Sequence, residues 1–239
     1  MKRFLHTPRG TRWPALVSTL LAVSGALHAQ TVVATPLLDA LSITVQSDSS
    51  TVARGSMRYR QVRAGAELDL VASGIVVRRG LRVTAELHTD SLFVLRKYVA
   101  ESRDSAGRLL DRVQVTSSGG RITLERVTPT HRMVREFSAQ REIMILDSAA
   151  VVPFVALAGL VQRPGTVSFL DVRRGTLTSA QVATGTPSDL SVAEVIVTGT
   201  PITVSGLGGP LSWWRDAKGR LLRVVWGTRS RVLRDDPPT

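Results

Sequence analysis

Beyond residue 30 the chain carries two histidines, His88 and His131, and one of them stands beside a hydroxyl and a carboxylate in the run His88-Thr89-Asp90-Ser91. Nucleophilic hydrolysis needs a serine, a base and an orienting acid that converge in space. Three residues crowded into one short run do not present that geometry. No Gly-x-Ser-x-Gly elbow occurs anywhere in the sequence. The two histidines fall in separate expected strands and the chain has no cysteine, so no pair at ligand spacing such as His-x-x-x-His exists and no metal or other cofactor is expected. Gly206-Leu207-Gly208-Gly209 lacks the Lys and Ser or Thr of a phosphate cradle and, with Pro210 after it, reads as a loop.

The sharpest catalytic candidate is Ile143-Met144-Ile145-Leu146-Asp147-Ser148-Ala149. An apolar strand ending in Asp-Ser resembles the catalytic loop of retroviral-type aspartic proteases, and Val195-Ile196-Val197-Thr198-Gly199 resembles their later apolar segment. Ala149 stands where that family needs Gly, and the second carboxylate would have to come from a dimer partner. The competing reading makes Asp147 or Ser148 the cap of a following helix. It is preferred, and the chain is not expected to be an enzyme.

The elements that would position any site are strands. Val83, Ala85 and Leu87 alternate with Arg82, Thr84, Glu86 and His88; Val113 and Val115 with Arg112, Gln114 and Thr116; Ile122 and Leu124 with Arg121, Thr123 and Glu125. Such alternation marks half-buried strands with one apolar and one wet face. Less regular runs at 41–47, 56–62, 67–72, 92–100, 133–137, 166–172, 191–197, 202–207 and 221–226 extend the series. Turn residues separate the runs at short intervals, as an antiparallel meander requires. Asp104-Ser105-Ala106-Gly107-Arg108 is echoed by Asp216-Ala217-Lys218-Gly219-Arg220. The flanking residues do not align, so the echo reads as one good hairpin solution used twice rather than a duplicated fold.

Residues 149–161 break the period. The run is apolar throughout, holds Pro153 where a helix can begin, and meets Arg163-Pro164-Gly165. It is too short to cross a bilayer. A helix without a polar face must be covered on all sides, which in an antiparallel protein means lying in the concavity of a bent sheet.

A long meander, a short apolar helix midway and the closing hairpin Trp213-Trp214-Arg215-Asp216-Ala217-Lys218-Gly219-Arg220-Leu221-Leu222 together resemble the one-sided β-barrel of bacterial periplasmic lipoprotein carriers and their uncharacterised exported relatives. The resemblance spans residues 40–235 and rests on element order. It implies a half-barrel wrapping one buried helix, an apolar cavity for acyl chains, and a role as carrier or lipid-responsive sensor. The arginine pairs Arg78-Arg79 and Arg173-Arg174, expected at the surface, neither add to the resemblance nor subtract from it. If a cavity forms, its walls are the apolar faces: Met57, Tyr59, Val83, Ala85, Leu87, Ile122, Leu124, Phe154, Leu157, Trp213 and Trp226 are the ligand-binding candidates. The plainer reading is that these side chains are core. Arg58 and Arg60 either flank the mouth as partners for phosphate or carboxylate or simply face water.

The first 29 residues place this domain. Lys2, Arg3, Arg9 and Arg12 precede an apolar run from Ala15 to Leu27, and Leu27-His28-Ala29 offers a small-residue cleavage site. An uncleaved anchor or a buried helix fits less well, because the run is short, broken by Ser18, Thr19 and Ser24, and follows Pro14. The expectation is a signal peptide at 1–29, a single antiparallel β domain at 30–239 with a helix near 150–162, and a periplasmic or secreted product with no membrane span once cleaved. Without cysteine there is neither lipid attachment nor a disulfide framework. The chain holds 31 Lys and Arg against 19 Asp and Glu, and loss of the leader's four basic residues lowers the net charge from +12 to +8. Nucleic acid is a poor partner for an exported chain with 5% aromatic residues. The expected partner is a lipid-like or amphipathic ligand, with a structural or interaction module of the cell envelope as the alternative; no protein partner is identified.

Overall fold

The computed structural model describes residues 37–64, 67–138, 143–160 and 165–238. The signal-peptide expectation for 1–29 lies outside the described residues. The described residues are mainly β, with one short helix. A first meander comprises β1 (Leu37–Ser47), β2 (Ser50–Ala64), β3 (Glu67–Arg78), β4 (Leu81–Asp90), β5 (Leu95–Asp104), β6 (Leu109–Ser118), β7 (Arg121–Val127) and β8 (Arg132–Ser138). Then come β9 (Ile143–Leu146), α1 (Val152–Leu160) and β10 (Gly165–Asp171). The chain finishes with β11 (Thr176–Thr184), β12 (Ser188–Val192), β13 (Val195–Ser205), β14 (Leu211–Arg215), β15 (Leu221–Trp226) and β16 (Ser230–Arg234).

All sixteen strands join one open, curved sheet in which β1 to β8 run outward in sequence order on one side and β16 to β9 on the other, with β12 attached only to β13. The first and last described strands therefore meet in the middle, β1 beside β16. Arg234 fastens that junction: both guanidinium ends donate to the Asp39 carboxylate, at 2.8 and 3.0 Å, and both side chains are buried. Burial alone would depress the Arg234 pKa, but the hydrogen bonds and charge of Asp39 and Asp236 more than offset this and raise it.

Pairing is antiparallel except for β9 and β10, which run parallel because α1 forms the crossover between them. Pro153 sits in the first turn of α1, where its missing N–H is harmless. The helix packs against β2, β3, β4, β9, β14 and β15, hence against both sides of the bent sheet. Its approach depends on Gly74. A Cβ there would lie 2.7 Å from Met57 Cγ, 2.8 Å from the Ser56 carbonyl oxygen and 2.9 Å from Val152 Cγ2.

The turns show how local chemistry sets the meander. Asp104 and Asp216 each accept two backbone N–H groups and the following arginine Nε, with Gly107 and Gly219 at φ +80° and +81°. The same bonding recurs at Asp90, which accepts from Leu92 N and Val94 N, except that Phe93 takes the left-handed position at φ +64°. Three hairpins thus share one solution. Residues 191–197, expected as one strand, instead fold as the β12–β13 hairpin around Ala193 and Glu194, both at positive φ.

Gly74→Ala is expected to lower stability by about 1–3 kcal/mol through overpacking. The readout is a lower urea midpoint with an unchanged slope; an unchanged midpoint would contradict this seating of the helix.

Candidate functional site

Since β8 and β9 end the sheet without pairing to each other, something other than backbone hydrogen bonds must hold its two ends together. Side chains do this. Leu146 completes β9, and Asp147 follows it with its carboxylate wholly buried. Arg173, in the β10–β11 turn, donates to that carboxylate from Nε at 2.7 Å and from a terminal nitrogen at 2.9 Å. Tyr98 of β5 donates its hydroxyl to Asp147 at 2.7 Å, and Ala149 N donates at 2.8 Å. Arg173 also pairs with Asp111 of β6, which is held in turn by Arg126 of β7 at 3.0 and 3.1 Å. Arg126 and Arg135 finally donate to the carbonyl oxygens of Arg173 and Gly175, each at 2.8 Å. The β9–β10 end is thereby stitched to β5, β6, β7 and β8.

Burial, then the charge and hydrogen bond of Asp147, hold the Tyr98 hydroxyl pKa well above the usual phenol range. Burial would depress the pKa of Arg173, yet its bonds to Asp147 and the charge of Asp111 outweigh that and raise it. The network stays ionised at Arg173 and neutral at Tyr98 throughout the physiological range.

This geometry corrects the expectation that Asp147 or Ser148 caps the helix, since α1 starts at Val152, five residues beyond Asp147. It also gives Asp147 an arginine and a tyrosine as partners, rather than the second carboxyl a proton-sharing dyad would need. The run His88-Thr89-Asp90-Ser91 does not assemble either: His88 Nε2 pairs with Glu86, and Asp90 is consumed by its turn. Among the described residues no group of three or more His, Asp or Glu is placed to hold a metal ion.

Next to the seam the half-barrel opens into a cleft of about 770 Å³. Val76, Val83, Phe154, Val224, Trp226 and Val232 form its apolar part, and Arg78, Asp171, Arg173 and Arg174 its polar part. Phe154 and Trp226 meet edge to face, with ring centroids 5.5 Å apart and planes at 78°. Of the ligand-binding candidates, Val83, Phe154 and Trp226 come together here. Tyr59 borders a separate cleft of about 830 Å³ lined also by Asp216, Lys218 and Arg220 at the opposite end of the strands. Its hydroxyl is buried without a hydrogen-bond partner. Met57 and Ala85 underlie an outer groove of about 590 Å³ together with Arg58. Leu87 and Leu157 enclose a gap of only about 10 Å³. Ile122, Leu124 and Trp213, each 2% exposed or less, are packed in the core and line none of these spaces.

Arg58 and Arg60 are exposed and alternate with the inward Met57 and Tyr59, so they lie on the outer face. The mouth instead carries Arg78 and Arg174. The expectation that Arg173 lies at the surface is corrected, for its side chain is only 13% exposed. The one signal of its role was its place in a turn beside Asp171. Compared with models of known protein families, with curated proteins and with solved structures, the chain matches none.

Arg173→Met strands a buried carboxylate and is expected to destabilise the fold by about 3–5 kcal/mol. In denaturant titrations the double variant with Asp147→Leu should lose much less than the sum of the two single changes; strict additivity would show that the two groups do not act as a unit.

Proposed function

We propose that this is an exported, non-enzymatic protein that binds an amphipathic ligand, apolar at one end and anionic at the other, in the open concavity of its sheet. The observation that carries the reading is the cleft in which Phe154, Trp226, Val83 and Val76 form an apolar floor beneath the arginines Arg78 and Arg174. Its volume falls within the range of small-molecule sites, about 300–1,000 Å³. Apolar contact supplies affinity without directionality, and guanidinium groups at the rim suit a phosphate or carboxylate. Arg174 is well placed for this, because its side chain is 79% exposed and its contact with Asp171 is a loose 3.8 Å. Arg173 beneath it is fully engaged and acts as scaffold.

Export rests on the leader, and the site asks for no metal or cofactor. The second reading is an envelope module with a self-filled core. It is favoured by Ile122, Leu124 and Trp213, which are buried in the interior against their neighbours.

A dansylated fatty acid separates the two. Saturable one-to-one uptake, with the complex seen by native mass spectrometry, is expected for the wild type. Arg78→Glu combined with Arg174→Glu should weaken binding about tenfold, equivalent to about 1.4 kcal/mol, while leaving a dansylated fatty alcohol nearly unaffected. No uptake together with a clean apo mass would establish the self-filled module instead.

A further inference from the structure

The two ends of the sheet differ. Every residue of β9 is buried, whereas five of the seven residues of β8 are exposed, and among the described residues no strand pairs with its outer side. An exposed edge is a template for another strand, and proteins commonly block it with charge. The charges on β8 are arranged differently.

Met133 and Phe137 pack toward the core, and Arg135 reaches the Gly175 carbonyl oxygen from the same face. The opposite face presents Arg132, Val134 and Glu136, with Val134 53% exposed. Residues directly opposite one another in an antiparallel pair share a face. When β8 meets a second β8 antiparallel and centred on Val134, Val134 faces Val134, Arg132 faces Glu136, and Glu136 faces Arg132. Both ion pairs form at once. Centring on Arg135 would set arginine against arginine, so the sequence discriminates between registers as well as permitting one.

Arg132 already contacts Glu125 at 2.7 Å, and Arg121 contacts Glu136 at 3.1 Å. The second strand would therefore extend a ladder of alternating charge that β7 begins.

We propose that β8 is a homotypic docking edge, through which two copies of this chain join their sheets by antiparallel β8–β8 pairing centred on Val134. The interface is isologous and closes after two copies. The proposal is independent of what the cleft binds.

Sedimentation equilibrium on the full chain at high concentration tests it. The wild type is expected to form a dimer. Arg132→Glu and Glu136→Arg should each weaken it at least tenfold by placing like charges opposite one another. An equimolar mixture of the two variants should then regain association, because both cross-strand pairs become complementary. Val134→Lys, at an exposed position, provides a variant that leaves the core untouched and should also abolish the dimer, with circular dichroism verifying the fold. A monomeric wild type, a dimer indifferent to Val134→Lys, or a variant mixture that remains monomeric overturns the proposal.

Discussion

The structure depends on the buried pairing of Arg173 with Asp147. A sheet of sixteen strands that does not close on itself leaves its terminal strands to be held by side chains, and this pair is the centre of that hold. Removing two charges from water is expensive, and their attraction compensates only when the remaining hydrogen-bonding positions are filled. Here they are filled. Asp147 accepts from Arg173, Tyr98 and Ala149, and Arg173 divides its donors between Asp147 and Asp111. A satisfied network of this kind specifies one arrangement, because each partial alternative strands a polar group in a low-dielectric interior.

The geometry of the cleft follows from that closure. Asp147 and Ala149 hold the chain that leads into α1, so the seam sets where Phe154 enters the concavity. Gly74 sets how deeply the helix sits against the sheet. Arg234 and Asp39, 195 positions apart in sequence, fasten β16 beside β1 and so help bring Trp226 and Val232 into one cleft with Val83. The buried Arg173–Asp147 pair thus does at the β8–β9 gap what continuous hydrogen bonding does in a closed barrel, while Arg234–Asp39 reinforces a junction that is already hydrogen-bonded. The cleft beside the Arg173–Asp147 seam is open to solvent, with Arg78 and Arg174 at its rim.

Much of this architecture was legible in the sequence, because a half-buried strand writes itself in period two. Val83, Ala85 and Leu87, or Ile122 and Leu124, face inward as their alternation requires. What escaped was encoded at long range or by atypical turn residues. Ala193-Glu194 makes a tight hairpin without the Asn or Gly that advertises one, and Phe93 occupies a left-handed position that Gly takes in the two sister turns. The parallel β9–β10 pair depends on a crossover, which alternation within a strand does not reveal. The site was legible only in part. Phe154, Trp226 and Val83 were found by their apolar character, but the same character marks Ile122, Leu124 and Trp213, which are core. Arg173 could not be told from other arginines, since its partners Asp147 and Asp111 lie 26 and 62 positions away. Local pattern predicts which face is buried; it does not predict which buried face stays partly open.

The side-chain closure leaves a concavity beside Arg174, and its proposed role is to take up an amphipathic ligand. Titration with decyl phosphate, followed by two-dimensional NMR of backbone amides, methyl groups and indole N–H groups, tests it most directly. Saturable shifts concentrated at Val76, Val83, Phe154, Val224, Trp226 and Arg174 are expected, with Ile122 and Leu124 unmoved. Shifts spread evenly over the surface, or centred on the cleft at Tyr59, would contradict it.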